Sequence, residues 1–173
     1  HLIGMELQAD MAATALENLR LNPQAAVHLI RGNVAHSPFG AFKANHTLAN
    51  PPYFLTSHGA PKQHPTVRKA HAFEEADLHE WLTFMAHHTK DEGTLPLINH
   101  PRNRPAVAAF AEDVGYTVCF YHLQTKPDAQ AKRTIAQLSR NPAFKGGAYN
   151  IAAYNEDLRE KVLRQGAPLT DVL

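Results

Sequence analysis

In the opening "HLIGMELQ" the apolar positions Leu2, Ile3 and Met5 come at once, as in a buried strand already under way. The period then changes. Met11, Ala15, Leu16 and Leu19 of "MAATALENLRLN" share one helical stripe, and Asn22 and Pro23 supply a stop. A strand followed by an amphipathic helix is half of a βαβ unit, and "AVHLIRGNV" reads as the strand that completes it. "HTLAN" is the next short strand, ending in two prolines. Within "ADLHEWLTFMAHHTKDEG", Leu78, Trp81, Leu82 and Met85 recur at helical intervals, and Gly93 stands where a left-handed C-terminal cap would. "TLPLINH" reads as a strand whose Pro96 lacks the N–H of an interior ladder, so that strand either starts late or sits in a locally irregular sheet. "RPAVAAFAEDVG" repeats the helix-then-glycine pattern. "YTVCFYHLQT" is a clear strand, "AKRTIAQLSR" pairs with it as the last one, and "YNEDLREKVLRQG" closes the chain as a helix. Strands alternating with helices predict one α/β domain over residues 1–173, its sheet mostly parallel and closed by an antiparallel strand at the edge.

Composition narrows the classes without choosing a function. With 173 residues, 44% hydrophobic and 19% charged, the chain suits a single globular domain and excludes disordered and fibrous classes. A formal net charge of +1 means that any nucleic-acid site must be a local patch. Cys119 is the only cysteine, which rules out an internal disulfide framework and a cysteine metal cage and agrees with a reducing compartment; the cytoplasm is the expected location, and no membrane partner is expected. The histidines are scattered and none makes an HExxH or HxxxH spacing, so no metal site is expected.

In α/β sheets ligands sit beyond the C-terminal ends of the strands. Glu6, Asn33 and Asn50 all fall at such ends. A carboxylate closing a strand of a nucleotide-binding sheet accepts hydrogen bonds from ribose hydroxyls, which makes Glu6 the candidate; its structural alternative is a carboxylate stabilised by a helix N-terminus. Asn33 in "RGNV" can present its amide to an adenine edge, or serve only as a turn residue.

The "NPPY" of residues 50–53 has a sharper chemistry. Pro51 and Pro52 have fixed φ and no N–H, so the carbonyls of Asn50 and Pro51 are held rigidly outside any helix. The Asn50 side-chain oxygen and the Pro51 carbonyl can each accept one hydrogen of a planar exocyclic amine, turning its lone pair towards an electrophile while Tyr53 stacks on the base. The matching electrophile is the sulfonium methyl of S-adenosylmethionine, and no strong general base is needed.

"GMELQADMAATALENLRLN", "ANPPYF", "RKAHAFEEADLHEWL", "KPDAQAKR" and "RQGAPLTDVL" resemble the class I S-adenosylmethionine-dependent methyltransferases, and within them the bacterial tRNA(Val) adenine-N6 methyltransferases, nearly end to end. The resemblance implies a Rossmann-like sheet and N6-methylation of a tRNA adenine. It also implies catalytic roles for Asn50, Pro51, Pro52 and Tyr53, and cofactor contacts from Glu6, Leu7, Asn33, Val34 and Asn50. The segment "FLTSHGAPKQHPTVRKAHAF" is too long and polar for a plain connector and is expected to cover a flipped base. Phe54 would touch that base, and Lys62, Arg68, Lys69, Lys126, Lys132 and Arg133 would hold tRNA phosphates. The Asn-Pro-Pro-Tyr element also occurs in glutamine-N5 and guanine-N2 methyltransferases, so a protein glutamine substrate is the enzyme alternative; a non-catalytic binding or assembly module is the other. Asn33 replaces the Asp common in the family. The family's first strand and glycine-rich loop are absent from this sequence, which enters the pattern at the second strand; it is expected to be N-terminally incomplete, with a slot between the strands ending at Glu6 and Asn50.

Overall fold

A computed structural model describes residues 1–51, 77–124 and 129–152. Strand β1 (Leu2–Glu6), helix α1 (Ala9–Leu21) and strand β2 (Val27–Arg31) form a βαβ unit, and β1 and β2 pair in parallel from Leu2–Val27 to Glu6–Arg31. No residue of α1 is buried; Met11 and Leu16, half of the expected stripe, are exposed, as are Leu2 and Ile3.

The core lies in a second unit. Strand β3 (Ala44–His46), helix α2 (Leu78–His87), strand β4 (Thr89–Asn99), helix α3 (Arg104–Asp113) and strands β5 (Thr117–Gln124), β6 (Arg133–Ser139) and β7 (Gly147–Ala152) build a five-stranded sheet of order β3-β4-β6-β5-β7. β4 is parallel to β3, β7 is parallel to β5, and β6 runs antiparallel to both β4 and β5. α2 starts with a capping box: Asp77 accepts from the Glu80 N–H at 2.9 Å while Glu80 accepts from the Asp77 N–H at 2.7 Å. Leu82 and Met85 of α2 and Val107, Phe110 and Ala111 of α3 then pack on Leu95, Leu97, Phe120, Ala136 and Leu138. β1 and β3 lie in different sheets.

Two expectations are corrected. α2 ends at His87, and Gly93 is no helix cap but an interior residue of β4. Its place follows from an irregular ladder: Ala44 pairs with Thr89 and His46 with Thr94, so the backbone between them must bulge. At the bulge an added Cβ would collide with the Asn45 carbonyl and the Thr89 side chain, while Ser139 Oγ donates to the Gly93 carbonyl at 2.7 Å. Second, the antiparallel strand expected at the edge, β6, lies between β4 and β5, and the edge is taken by a strand that the pattern did not reveal, β7, parallel to β5. The tail helix expected in "YNEDLREKVLRQG" lies outside the described residues.

Pro96 sits inside β4, opposite Gln137. Its carbonyl accepts from the Ala49 N–H at 3.1 Å, and the Ala49 carbonyl accepts from the Ile98 N–H at 3.0 Å. The donor that proline lacks would face the same β3 edge, where pairing is already reduced to an isolated bridge between Ala49 and Leu97. The irregular-sheet alternative is therefore the one realised.

The loop of residues 32–43 meets the second unit at His88, which is only 3% exposed. The Phe42 carbonyl lies 2.8 Å from Nδ1 and can only accept, so Nδ1 carries the proton. Nε2, 2.7 Å from Ser37 Oγ, then accepts from that hydroxyl, whose oxygen in turn accepts the Phe39 N–H at 3.2 Å. The rings of Phe39 and Phe84 stand 5.5 and 4.8 Å from the imidazole.

Gly93→Ala should cost about 1–3 kcal/mol in urea unfolding, because the methyl group meets backbone rather than a yielding side chain. His88→Phe keeps the ring packing but removes the imidazole partner of the part-buried Phe42 carbonyl and Ser37 hydroxyl, for an expected loss of about 1–2 kcal/mol; a midpoint equal to wild type would count against the joint.

Candidate functional site

The sequence-predicted residues fall into two groups at strand ends. Glu6 and Arg31 are register partners, and the Gly32 N–H donates to the Glu6 carbonyl at 3.0 Å, so Glu6, Leu7, Asn33 and Val34 come together at the end of the β1–β2 pair. Glu6 Oε1 accepts from the Gln8 N–H at 2.8 Å, at the N-cap of α1. One carboxylate oxygen thus anchors the entry to the helix, and the other has no hydrogen bond among the described residues. Asn33 Oδ1 accepts from the Ala35 N–H at 2.9 Å and closes a turn. The amide acceptor is engaged, so the Asn33 side chain offers mainly its N–H donors to a ligand.

Asn50 and Pro51 form the second group, just beyond the Ala49 bridge to β4. Asn50 is exposed and Pro51 is buried. Lys132 and Arg133 stand at the start of β6, the same end of the sheet as Asn99 of β4, since Asn99 is opposite Thr134. Pro52, Tyr53, Phe54, Lys62, Arg68, Lys69 and Lys126 lie outside the described residues.

At that end the helix-facing side of the sheet turns polar. Asn99 of β4, Thr134 of β6, His122 of β5 and Asn150 of β7 form one cross-strand row. The row directly behind it is Leu97, Ala136, Phe120 and Ala148. His122 Nδ1 and Thr134 Oγ1 are 2.9 Å apart. Asn99 is 1% exposed, and among the described residues neither its Oδ1 nor its Nδ2 has a partner, an arrangement that costs about 1–3 kcal/mol per orphaned group. Arg104 lies 5.0 Å over the ring of Phe120, which is stacked on His122. Burial, and then the charge of Arg104, hold the His122 imidazole below its ordinary range. Burial, followed by the charges of Arg102 and Arg133, does the same to His100.

Sequence reasoning missed Asn99, His100, Arg102, Arg104, His122 and Thr134. The strand-end rule that selected Asn50 also applies to "INHPRNR", where five polar or basic side chains, interrupted only by Pro101, follow the last apolar residue of β4. No group of three or more potential metal ligands occurs among the described residues, and no helix among them is long and apolar enough to cross a membrane.

No family model matches the chain, and no curated protein does. Solved structures do. A protein of Agrobacterium tumefaciens predicted to be an O-methyltransferase superposes with a TM-score of 0.62 at 14% identity, over 91% of this chain and 74% of that one. A Listeria monocytogenes protein assigned to the class I S-adenosylmethionine-dependent methyltransferases gives 0.62 at 12% identity, over 95% of this chain and 54% of its own. The hMettl16 catalytic domain, solved in complex with MAT2A 3′UTR hairpin 1, gives 0.58 at 11% identity, over 85% and 58%. The chain thus spans about half to three quarters of these neighbours. Its fold is the Rossmann-like fold of the class I methyltransferases.

Both depressed histidines favour the neutral imidazole in the folded state, so the unfolded chain takes up protons first as pH falls below the ordinary value of 6.5. Their contribution is intact above 6.5 and is lost as pH drops through the folded-state values. The melting temperature should fall between pH 7.5 and 5.5, and less so in His122→Gln; identical profiles for the two proteins would contradict the assignment.

Proposed function

We propose that this chain carries the catalytic face of an S-adenosylmethionine-dependent methyltransferase that modifies N6 of an adenine in tRNA. The observation that bears most weight lies just beyond the Ala49 bridge to β4, where an exposed Asn50 is followed by a buried, rigid Pro51. The Asn50 side-chain oxygen and the Pro51 carbonyl would accept the two amine hydrogens, and Tyr53 would stack on the ring.

The end of the β1–β2 pair suits the adenosine half of the cofactor. Glu6 keeps one carboxylate oxygen for the ribose hydroxyls, and Asn33 and Val34 offer N–H donors towards a purine edge. When bound, the cofactor supplies an electrophilic methyl on a sulfonium whose departure leaves a neutral thioether. The chain's own residues then orient the amine lone pair and exclude water, and the proton departs after the new N–C bond has formed. An acceptor pair of this kind would equally hold a glutamine amide. The Lys132–Arg133 pair at the same end of the sheet speaks for a polyanionic substrate instead, and the RNA-bound hMettl16 domain has the same fold.

Asn50→Ala should reduce methyl transfer to tRNA at least a hundredfold while leaving cofactor affinity within about twofold, because the lost acceptor acts on the target amine. Single-turnover methylation with isothermal titration of S-adenosylhomocysteine separates the two. Turnover equal to wild type would overturn the assignment of Asn50. Methylation of a glutamine-bearing peptide in preference to tRNA would move the substrate to the alternative.

A further inference from the structure

We propose that Ser37 and His88 are positioning residues for methyl transfer, holding the turn of Asn33 and Val34 at a set distance from Asn50. The inference rests on the reading above, in which that turn meets the cofactor and Asn50 meets the target amine, and it adds the part of the molecule that aligns the two.

Transfer of a methyl group requires the amine lone pair to approach in line with the breaking C–S bond, and a misplacement of about 1 Å can cost about a hundredfold in rate. The two strand ends that carry the site belong to different sheets: among the described residues β1 pairs with β2, and the segment leading to Asn50 pairs with β4. No ladder bond among those residues therefore sets their separation. The loop of residues 32–43 spans the gap, and two side-chain hydrogen bonds, both to His88, join it to the second unit. Ser37 Oγ donates to Nε2 at 2.7 Å, and the Phe42 carbonyl accepts from Nδ1 at 2.8 Å.

The loop is tight enough to carry that fixed point to the turn. The Gly32 N–H donates to the Glu6 carbonyl at 3.0 Å, the Ala35 N–H to Asn33 Oδ1 at 2.9 Å and the His36 N–H to the Asn33 carbonyl at 3.1 Å. A Cβ added at Gly32 would stand 2.9 Å from Met5 Sδ and 3.1 Å from Pro38, so the chain returns onto its own start immediately after Ser37. Only Ala35 and His36 separate Val34 from Ser37. A shift at Ser37 thus displaces the donors of Asn33 and Val34.

His88 supplies a firm base. Its neighbours Met85 and Thr89 are 1% and 0% exposed, Thr89 Oγ1 donates to the Met85 carbonyl at 2.8 Å, and the His88 N–H donates to the Phe84 carbonyl at 3.1 Å. The His88 carbonyl accepts from the Ala44 N–H at 2.8 Å, where β3 begins. Side chain and main chain of one residue therefore face the two halves of the site. Ser37 is itself exposed, so core packing does not require a hydroxyl there.

The test uses the full-length protein, with S-adenosylhomocysteine affinity from isothermal titration, methylation of a tRNA transcript at saturating cofactor, and thermal unfolding. Ser37→Ala should weaken S-adenosylhomocysteine binding about fivefold and lower turnover at saturating cofactor at least tenfold, with the melting temperature within about 3 °C of wild type. Ser37→Thr keeps the hydroxyl and should restore both. Loss of affinity together with turnover separates this variant from Asn50→Ala, which spares affinity. Wild-type affinity and turnover in Ser37→Ala, with or without a lower melting temperature, would make the bond structural only and overturn the proposal; so would equal losses in Ser37→Thr. A wild-type protein that binds S-adenosylhomocysteine without methylating tRNA would overturn the substrate reading, and a loss of affinity in Ser37→Ala rescued by Ser37→Thr would still uphold the role of the Ser37–His88 bond.

Discussion

The proton on Nδ1 of His88 has one acceptor, the carbonyl of Phe42, and that fixed direction organises the molecule. With Nδ1 donating, Nε2 must accept, so Ser37 is oriented, and through it the Phe39 N–H. The segment that follows Asn33 is thereby held against the end of α2. The His88 carbonyl accepts from the Ala44 N–H at 2.8 Å, which starts β3 beside the first residue of β4. One buried imidazole thus sets both the loop after the candidate adenine-binding turn and the origin of the strand that leads to Asn50. Ring contacts alone would tolerate rotation of the histidine; the two hydrogen bonds define its plane.

Much of the α/β order was legible because it depends on short-range periodicity. The stripe Leu78, Trp81, Leu82 and Met85 gave α2, and the apolar run around Cys119 and Phe120 gave β5 with β6 as its antiparallel partner. What remained hidden depends on partners distant in sequence. Gly93 resembles a helix cap in isolation and becomes a strand residue only because Asn45 and Ser139 crowd it from two neighbouring strands. "GAYNIA" has no strong alternation, and β7 exists because β5 offers it a free edge in parallel register. The stripe on α1 was read correctly as a pattern, but the surface it would cover is not supplied by the described residues.

The candidate site shows the same division. Asn50 and Glu6 stood out because an unusual residue occupied a strand end, a signal local in sequence. Asn99 is an ordinary residue until burial removes water from both its polar atoms, and Arg104 is one more surface cation until it is placed over Phe120. The polar row is a property of the folded sheet, because register joins Asn99, Thr134 and His122 from β4, β6 and β5.

The proline in β4 has a consequence for how the protein moves. Since Pro96 offers no donor, the segment leading to Asn50 is tied to β4, among the described residues, only by the Thr47 N–H to the Thr94 carbonyl, the pair of backbone bonds at Ala49 and the Thr47–Thr89 hydroxyl contact at 2.7 Å, whereas β4 is paired with β6 continuously from Leu95 to Asn99. The sheet is therefore unequally paired: a continuous ladder on the β6 side, and on the β3 side a tab held by a sparse set of bonds. Hydrogen exchange at the Ala49 and Ile98 amides would report local opening of that tab separately from global unfolding.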